Sequence, residues 1–234
     1  MIVFMREIPT RDFETENLLI KRPTMSEQYT LWQILKDESV NRYYFPTPER
    51  IFKKNNLSKG KIEDLVLARN IFMEQLNDWE RQKPFYERKI ESITAEDNSQ
   101  KFTWSIFTKE GVPIGQITVQ PKDEYLFQPD IRDVGWFISP MYQGHGYATE
   151  AAGVVLDFMF NEVEIEKVIT SAAIINPASW RLMEKLGFVR NGEKSSTYFD
   201  DDGNILKSYC YECDREKFNN RIINNPLIKK LQNH

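Results

Sequence analysis

The 234-residue sequence has few of the residues on which several kinds of active site depend. It contains two histidines, His145 and the terminal His234, and two cysteines, Cys210 and Cys213. So few histidines argue against a histidine-based metal centre or a nucleophile triad. The cysteines form a C-x-x-C without a second pair to complete a zinc site, and in an alternating strand they would point to opposite faces. We therefore expect no metal, and structural cysteines.

Long apolar runs and a strong positive charge are also missing. No apolar run approaches the roughly 20 residues of a membrane-spanning helix, and the opening MIVFMREIP is charged too early for a signal peptide. The net charge of −4 disfavours nucleic acid as the main partner and mildly favours cationic substrates. We expect a cytoplasmic protein whose partners include neither nucleic acid nor a membrane.

The composition is that of a globular protein with one good core, at 41% hydrophobic and 13% aromatic residues. We expect a single domain over residues 1–218, followed by a polar C-terminal tail over 219–234. Within the domain, residues at about 46–101 should form a helical insert, which walls a site, acts as a lid or mediates a dimer contact. Its long amphipathic helix is predicted over Ile62–Arg81, and the polar stretch Glu87–Lys101 is predicted to be a loop.

Alternating apolar residues and turn signals place the strands. The pattern predicts a first strand over Phe13–Arg22, and then a helix that begins with Thr24 and Glu27 at capping-box spacing. A hairpin follows over residues 102–119, then a central strand that Pro140 ends, a strand over 167–175, and a final hairpin over 195–212.

The segment DVGWFISPMYQGHGYATEAAGVVLDFMF, residues 133–160, reads as a buried strand, a glycine-bearing turn and an apolar-faced helix. The N–H groups at a helix N-terminus, with the helix dipole behind them, hold phosphate, and glycines let the backbone come close. It is not a P-loop, because no Gly-Lys-Ser/Thr follows, and the G-x-G-x-x-G spacing is missing. The plain alternative is an ordinary strand-to-helix turn.

Two motifs carry a resemblance to a known family. Gln143-x-x-Gly146-x-Ala148 is similar to the coenzyme-binding signature of the GNAT superfamily of N-acetyltransferases. Asn176-Pro177-Ala178-Ser179, followed by a Lys-Leu-Gly-Phe ending at Phe188, resembles the second GNAT signature. The opening Thr-Glu-x-Leu at Thr15 is similar to that of the RimJ/RimL-like, ribosomal-protein-acetylating branch.

The resemblance implies an α/β (α+β) GNAT fold: a mixed, mostly antiparallel central sheet flanked by helices, with the helical insert before the second strand. It implies acetyl-CoA as co-substrate, and direct attack by an amine in a ternary complex without an acyl-enzyme. A backbone N–H near Phe137 or Ile138 would polarise the thioester, and Asn176 and Ser179 would contact the pantetheine arm. The pyrophosphate would lie on the loop of Gln143, Gly144, His145, Gly146, Tyr147, Ala148 and Thr149.

Three residues are candidates for proton transfer. Asp133 stands where relatives often have an acidic residue facing the acceptor; a solvated carboxylate or an ion pair with Arg132 is the alternative. Ser179 is the family-supported acid. Tyr198 is a second candidate, because a phenol pKa of about 10 suits protonation of a thiolate, although such an aromatic often only packs. His145 is the one internal histidine, and we expect no catalytic role for it because its loop faces phosphate.

The sequence leaves the class of the acceptor amine open. Near pH 7, neutralising an α-amine of pKa about 8 costs about 1.4 kcal/mol, and a lysine-like amine costs over about 4.5 kcal/mol. This favours a protein N-terminal α-amine, with a small molecule (a polyamine, an aminoglycoside-like antibiotic or an amino acid) as the alternative. A third hypothesis is a non-catalytic sensor that only binds acetyl-CoA. Sheet edges in such folds often pair, so a homodimer is one expectation for assembly.

Overall fold

The computed structural model describes residues 11–44, 49–58, 61–94, 101–121, 128, 130–199 and 205–223. Their strands are β1 (Phe13–Glu14), β2 (Leu18–Lys21), β3 (Phe102–Thr108), β4 (Pro113–Pro121), β5 (Ile131–Ile138), β6 (Lys167–Ala173), β7 (Val189–Phe199) and β8 (Ile205–Asp214). Their α-helices are α1 (Met25–Lys36), α2 (Glu38–Tyr44), α3 (Glu49–Lys54), α4 (Ile62–Leu76), α5 (Trp79–Thr94), α6 (Tyr147–Asn161), α7 (Pro177–Lys185) and α8 (Arg215–Ile223).

The strands form one sheet in the order β1-β2-β3-β4-β5-β6-β8-β7. Every neighbouring pair is antiparallel except β5 and β6, which run parallel. A parallel pair needs a crossover connection, and α6 supplies it. The predicted mixed and mostly antiparallel sheet flanked by helices is confirmed.

The parallel pair separates soon after it forms. β5 and β6 pair at Ile131–Lys167 and at Arg132–Val168, and the register continues no further within the described strands. A side-chain bridge marks the closed end, where the Thr170 hydroxyl donates to the Val134 carbonyl at 2.9 Å. Beyond it the two strands diverge and leave a wedge-shaped opening, which we call the strand cleft.

The main core lies between one face of the sheet and α6. Helix α6 buries Ala151, Ala152, Val155 and Met159, which form the apolar face that the sequence predicted for this helix. Against them pack the fully buried Trp104 and Ile117 of the sheet, together with other apolar residues of β2 to β6. Strand β5 is therefore held in place from one side by α6 and from its edge by β4.

The described residues of the predicted insert form α3, α4 and α5, and the bounds of these helices differ from those that the sequence predicted. The predicted helix ends at Leu76, and α5 then extends through residues 87–94, where a loop was predicted. Trp79 and Tyr86, seven positions apart on α5, explain the difference, because both lie on the helix face that packs toward α1. The ring centroid of Trp79 lies 5.2 Å from that of Trp32 and 5.5 Å from that of Tyr86. Because α5 contains many charged residues, its sequence did not indicate this apolar face.

Other boundaries differ less. The first predicted strand is two strands, β1 and β2, so the insert precedes the third strand of the structure. Helix α8 continues to Ile223, so that it includes the first five residues of the predicted tail, and it buries Phe218. On β8, Cys213 is buried and Cys210 lies on the opposite face, as predicted. Among the described helices, none is long and apolar enough to span a membrane.

Candidate functional site

A cavity of about 740 Å³ runs across the strand cleft and joins two regions of different chemistry. Its volume lies in the range of small-molecule sites. The loop end is lined by Gln143, Gly144, Gly146, Tyr147, Ala148, Thr149, Asn176 and Ser179. The insert end is lined by Leu35, Val40, Tyr43, Phe85, Tyr86, Lys89, Lys101, Gln116, Thr118, Gln120 and Asp133.

Two glycines shape the loop end. Gly144 and Gly146 have φ angles of 81° and 84°, in the left-handed region that favours glycine. Gly146 is the N-cap of α6 and provides no side-chain cap, and a Cβ added at either glycine would meet no atom within 4 Å. The Gln143 amide anchors the loop to β5 by donating to the Ile138 carbonyl at 2.9 Å. The turn is thus tied to the central strand, with open space above its backbone.

This geometry suits an anionic group. The first N–H groups of α6, from Tyr147 to Thr149, belong to a 15-residue helix whose dipole favours negative charge at this end. The one carboxylate of the first turn, Glu150, accepts hydrogen bonds from the Asn17 backbone N–H and side chain at 3.0 Å each. On the facing helix α7, the exposed Arg181 and Lys185 also line the cavity, one helical turn apart. The loop end therefore presents N–H donors and positive charge.

Asn176 and Ser179 lie at the start of α7 on the other side of the strand cleft. Asn176 is the N-cap, and its side-chain oxygen accepts from the Ser179 N–H at 3.3 Å. Gly187, just past the helix end, has a φ of 91°. Both Asn176 and Ser179 still line the cavity. The cap therefore fixes the helix start while leaving the two residues beside the cleft.

The ladder between β4 and β5 decides which N–H groups face the cleft. The Ser139 N–H donates to Ile114 on the β4 side at 2.7 Å. Backbone groups alternate in direction along a strand, so Phe137 also faces β4, whereas Trp136 and Ile138 face the cleft. The Thr170 bond to the Val134 carbonyl follows the same alternation. Phe137 and Ile138, the two residues predicted for this role, both line the cavity. The alternation shows that Trp136 presents its N–H to the cleft together with Ile138, whereas Phe137 does not.

The floor of the insert end is the second face of the sheet. Gln116, Thr118 and Gln120 of β4 stand opposite Phe137, Gly135 and Asp133 of β5, all on this face. A Cβ at Gly135 would meet nothing within 4 Å, so the floor is open at its centre. Asp133 is half-buried here, while its neighbour Arg132 is buried and donates to the Ile131 carbonyl at 3.1 Å. Adjacent strand residues point to opposite faces, which disfavours the alternative of an Arg132–Asp133 ion pair.

Helix α5 covers this floor with a lysine and aromatic rings. The Lys89 ammonium donates to the Gln116 side-chain oxygen at 2.8 Å. Burial, with the nearby charge of Lys101, lowers the pKa of Lys89 to about 8. Burial also lowers the pKa of Lys101 and raises that of Tyr86. Phe85 is 54% exposed at the rim.

The cavity brings together most of the residues that the sequence predicted. His145 is the exception within the loop: it is exposed, its Nδ1 lies 2.9 Å from the Gln143 carbonyl, and it stacks on Tyr147 outside the cavity lining. Tyr198 lies near the end of β7, outside the residues whose side chains the structure describes.

Lys89, Lys101 and Gln116 were missed because no local motif marks them, although a lysine among the aromatic residues of α5 was a signal. Across the described ranges, no three His, Cys, Asp or Glu side chains gather as they would around a metal ion.

Comparison with known proteins places the site in a family. Residues 17–189, most of the chain, match the family model described as an acetyltransferase (GNAT) domain. An uncharacterized N-acetyltransferase of Bacillus subtilis, YnaD, is 34% identical over 96 residues, 41% of this chain and 54% of that protein. The chain spans about half the length of the first curated relatives that it matches.

Two solved structures share the fold at low sequence identity. A spermidine N-acetyltransferase from Vibrio cholerae, in complex with CoA and spermine, has a TM-score of 0.63 at 16% identity, covering 86% of this chain and 97% of that one. Mycobacterium smegmatis RimJ, in complex with CoA-disulfide, has a TM-score of 0.62 at 15% identity, covering 88% of each chain.

Proposed function

The chain belongs to the GNAT family of acetyltransferases, and from its site we propose that it transfers an acetyl group from acetyl-CoA to the amine of an acceptor. The observation that carries the proposal is the single cavity that joins an anion-binding helix start to a second pocket through the strand cleft. A two-substrate transfer needs such an arrangement, because both reactants must meet in one place.

The residues present fit the coenzyme. The glycine turn at Gly144 and Gly146, with open space above it and the start of α6 behind it, would hold the pyrophosphate. Arg181 and Lys185 would lie beside the coenzyme phosphates. Asn176 and Ser179 would contact the pantetheine arm along the cleft. When bound, acetyl-CoA supplies the activated acetyl group as a thioester.

Backbone donors support the transfer itself. The N–H groups of Trp136 and Ile138, which the ladder directs into the cleft, would polarise the thioester carbonyl. The acceptor nitrogen attacks directly: its bond to the acetyl carbon forms, the carbon–sulfur bond breaks, and the amine gives up a proton. Ser179 is proposed to protonate the departing thiolate, with Tyr198 as the second candidate.

Asp133 is the proposed base. It stands on the acceptor face of β5, three residues from Trp136, or about 10 Å along the strand. At that distance the carboxylate would receive the amine proton through water. Because the proton would travel through water, the Asp133 carboxylate need not contact the amine directly. Such a relay suits an amine that loses its proton readily.

For the acceptor, we propose the α-amine of a protein N-terminus. An α-amine is cheaper to neutralise than a lysine-like amine by about 3 kcal/mol. The insert end also carries two lysines, Lys89 and Lys101, against the one carboxylate Asp133 among its described lining residues. That balance disfavours a polyamine.

A polyamine remains the second candidate, because a curated spermidine N(1)-acetyltransferase of Vibrio cholerae is 32% identical over 62 residues.

The test is release of coenzyme A from acetyl-CoA across an amine panel. The panel contains peptides with free Ala, Ser, Thr or Met N-termini, blocked peptides carrying lysine, spermidine and an aminoglycoside. Turnover confined to the free N-termini is the expected result. Turnover only on spermidine or the aminoglycoside would instead indicate an enzyme that acetylates small molecules. Coenzyme binding without release on any amine would leave the sensor hypothesis instead.

A further inference from the structure

The insert end of the cavity has a polar and charged floor beneath an aromatic and aliphatic wall. Lys89 reaches down from α5 to Gln116 on the sheet, and Lys101 stands where the chain enters β3. The other titratable groups of this end are Tyr43 on α2, Tyr86 on α5 and Asp133 on β5. Positive charge therefore outweighs negative charge among the described residues around this pocket.

The contact of Lys89 with Gln116 places its ammonium beside the strand that carries the proposed thioester donors. Its partner Gln116 is paired in register with Phe137 of β5, and neighbouring strands lie about 4.8 Å apart. Phe137 stands between Trp136 and Ile138, whose N–H groups face the cleft. An amine that attacks there would carry the atoms next to it into reach of Lys89.

We propose that the acceptor carries a carboxylate a few bonds from its amine, and that Lys89, assisted by Lys101, binds this carboxylate. This inference rests on the proposed function and narrows its substrate class. A largely covered ammonium forms stronger interactions with an anion than an exposed one does. Near pH 7 a lysine with a pKa of about 8 is still mainly protonated. The flanking Leu35, Val40 and Phe85 would cover the apolar part of the acceptor.

Two sources could provide such a carboxylate. One is an acidic side chain at the second position of a peptide N-terminus, and the other is the α-carboxylate of a free amino acid. The experiment separates them with two matched pairs: a Ser-Glu peptide against the same Ser-Gln peptide, and free serine against serinamide. Each pair removes one negative charge and keeps the shape. The ammonium of serinamide is more acidic than that of serine, so the cost of neutralising the amine alone would make serinamide the better acceptor. A preference for serine would therefore indicate that its carboxylate is bound.

The measurement is kcat and KM for coenzyme A release with each acceptor, on the full chain, for wild type and for Lys89→Met and Lys101→Met. We expect wild type to prefer the anionic member of at least one pair by about tenfold in kcat/KM, mainly through KM. Lys89→Met should reduce that preference to about twofold or less, with most of the loss in the KM of the anionic member. Lys101→Met, at an exposed position, should give a smaller loss.

Lys83→Met is the matched control, because Lys83 lies on the same helix, is 46% exposed and lines no part of the cavity. It should keep the wild-type preference. Equal turnover of both members of both pairs would overturn the inference and leave the proposed function standing. An anionic preference that survives in both Lys89→Met and Lys101→Met would also overturn it. No release with any acceptor would instead refute the proposed function, and this inference with it.

Discussion

Replacing Gly146 with tryptophan should abolish coenzyme binding for a reason that can be separated from backbone strain. Gly146 has a φ of 84°, so any L-residue there is strained by roughly 1–2 kcal/mol. Gly111, in the turn between β3 and β4, has a φ of 82° and likewise no atom within 4 Å of an added Cβ, and it does not line the cavity. Gly111→Trp therefore carries the same strain without the blocked loop.

The magnitudes of the two effects differ. Strain of that size should lower the melting temperature of both variants by a similar amount, about 2–8 °C for a chain of this length. The tryptophan at 146 would also displace a phosphate from the N–H groups of α6, and each hydrogen bond to a charged group contributes about 1.5–3 kcal/mol. Loss of two such bonds corresponds to a more than about hundredfold rise in Kd.

The assay is isothermal titration of coenzyme A into each variant at fixed ionic strength, beside thermal unfolding of the same samples. We expect similar melting temperatures for the two variants, near-wild-type binding by Gly111→Trp, and no measurable binding by Gly146→Trp. If Gly146→Trp bound coenzyme A as tightly as Gly111→Trp, the assignment of the loop end to the pyrophosphate would be wrong.

Three further predictions concern the strands and the insert. Asp133→Asn should lower kcat by about a hundredfold if Asp133 receives the amine proton, with little change in the Kd of coenzyme A; an unchanged kcat would remove it from the mechanism. Gly115→Ala should lower stability by about 1–3 kcal/mol, because its Cβ would lie 2.3 Å from the Phe137 carbonyl oxygen, whereas Gly135→Ala should not; chemical denaturation of both would check this. The pKa of Lys89 is about 8 in the folded protein and about 10.5 in the unfolded chain, so between these pH values the unfolded chain binds more protons. The free energy of unfolding of wild type should therefore rise with pH in this range relative to that of Lys89→Met. A pH-independent difference between the two unfolding free energies would contradict the low pKa.

The loop end of the site was predictable because its signals are local. A strand, a turn that needs left-handed residues and a helix start are written in consecutive positions, so Gly144 and Gly146 could be assigned from the sequence. The Asn176 cap is equally local, since its side chain bonds an N–H three residues away. Both motifs work through the chain's nearest neighbours, and neither depends on how distant segments pack.

The insert end could not be predicted in the same way. The polar sequence of α5 reads as a loop until its aromatic residues are seen against α1, and only that packing directs Lys89 toward the sheet. Gln116 acquires a role only because β4 and β5 are in a register that places it opposite Phe137. Such long-range contacts carry no consecutive signature, and they supply the residues that we expect to choose the acceptor.

The choice between neighbouring residues of β5 as the N–H donor shows why strand register matters for the proposed chemistry. The sequence placed the polarising N–H near Phe137 or Ile138, and these neighbours face opposite edges of the strand. One bond outside the motif, from Ser139 to Ile114, sets the alternation and turns Trp136 and Ile138 toward the cleft. A slip of one residue between β4 and β5 would turn those N–H groups away from β6 and exchange the two faces of β5. It would carry Asp133 and Gly135 into the core against α6 and bring Val134 to the acceptor face. The close fit of Gly115 against Phe137 favours one register, so the same contact that stabilises the sheet also directs the two N–H groups proposed to polarise the thioester.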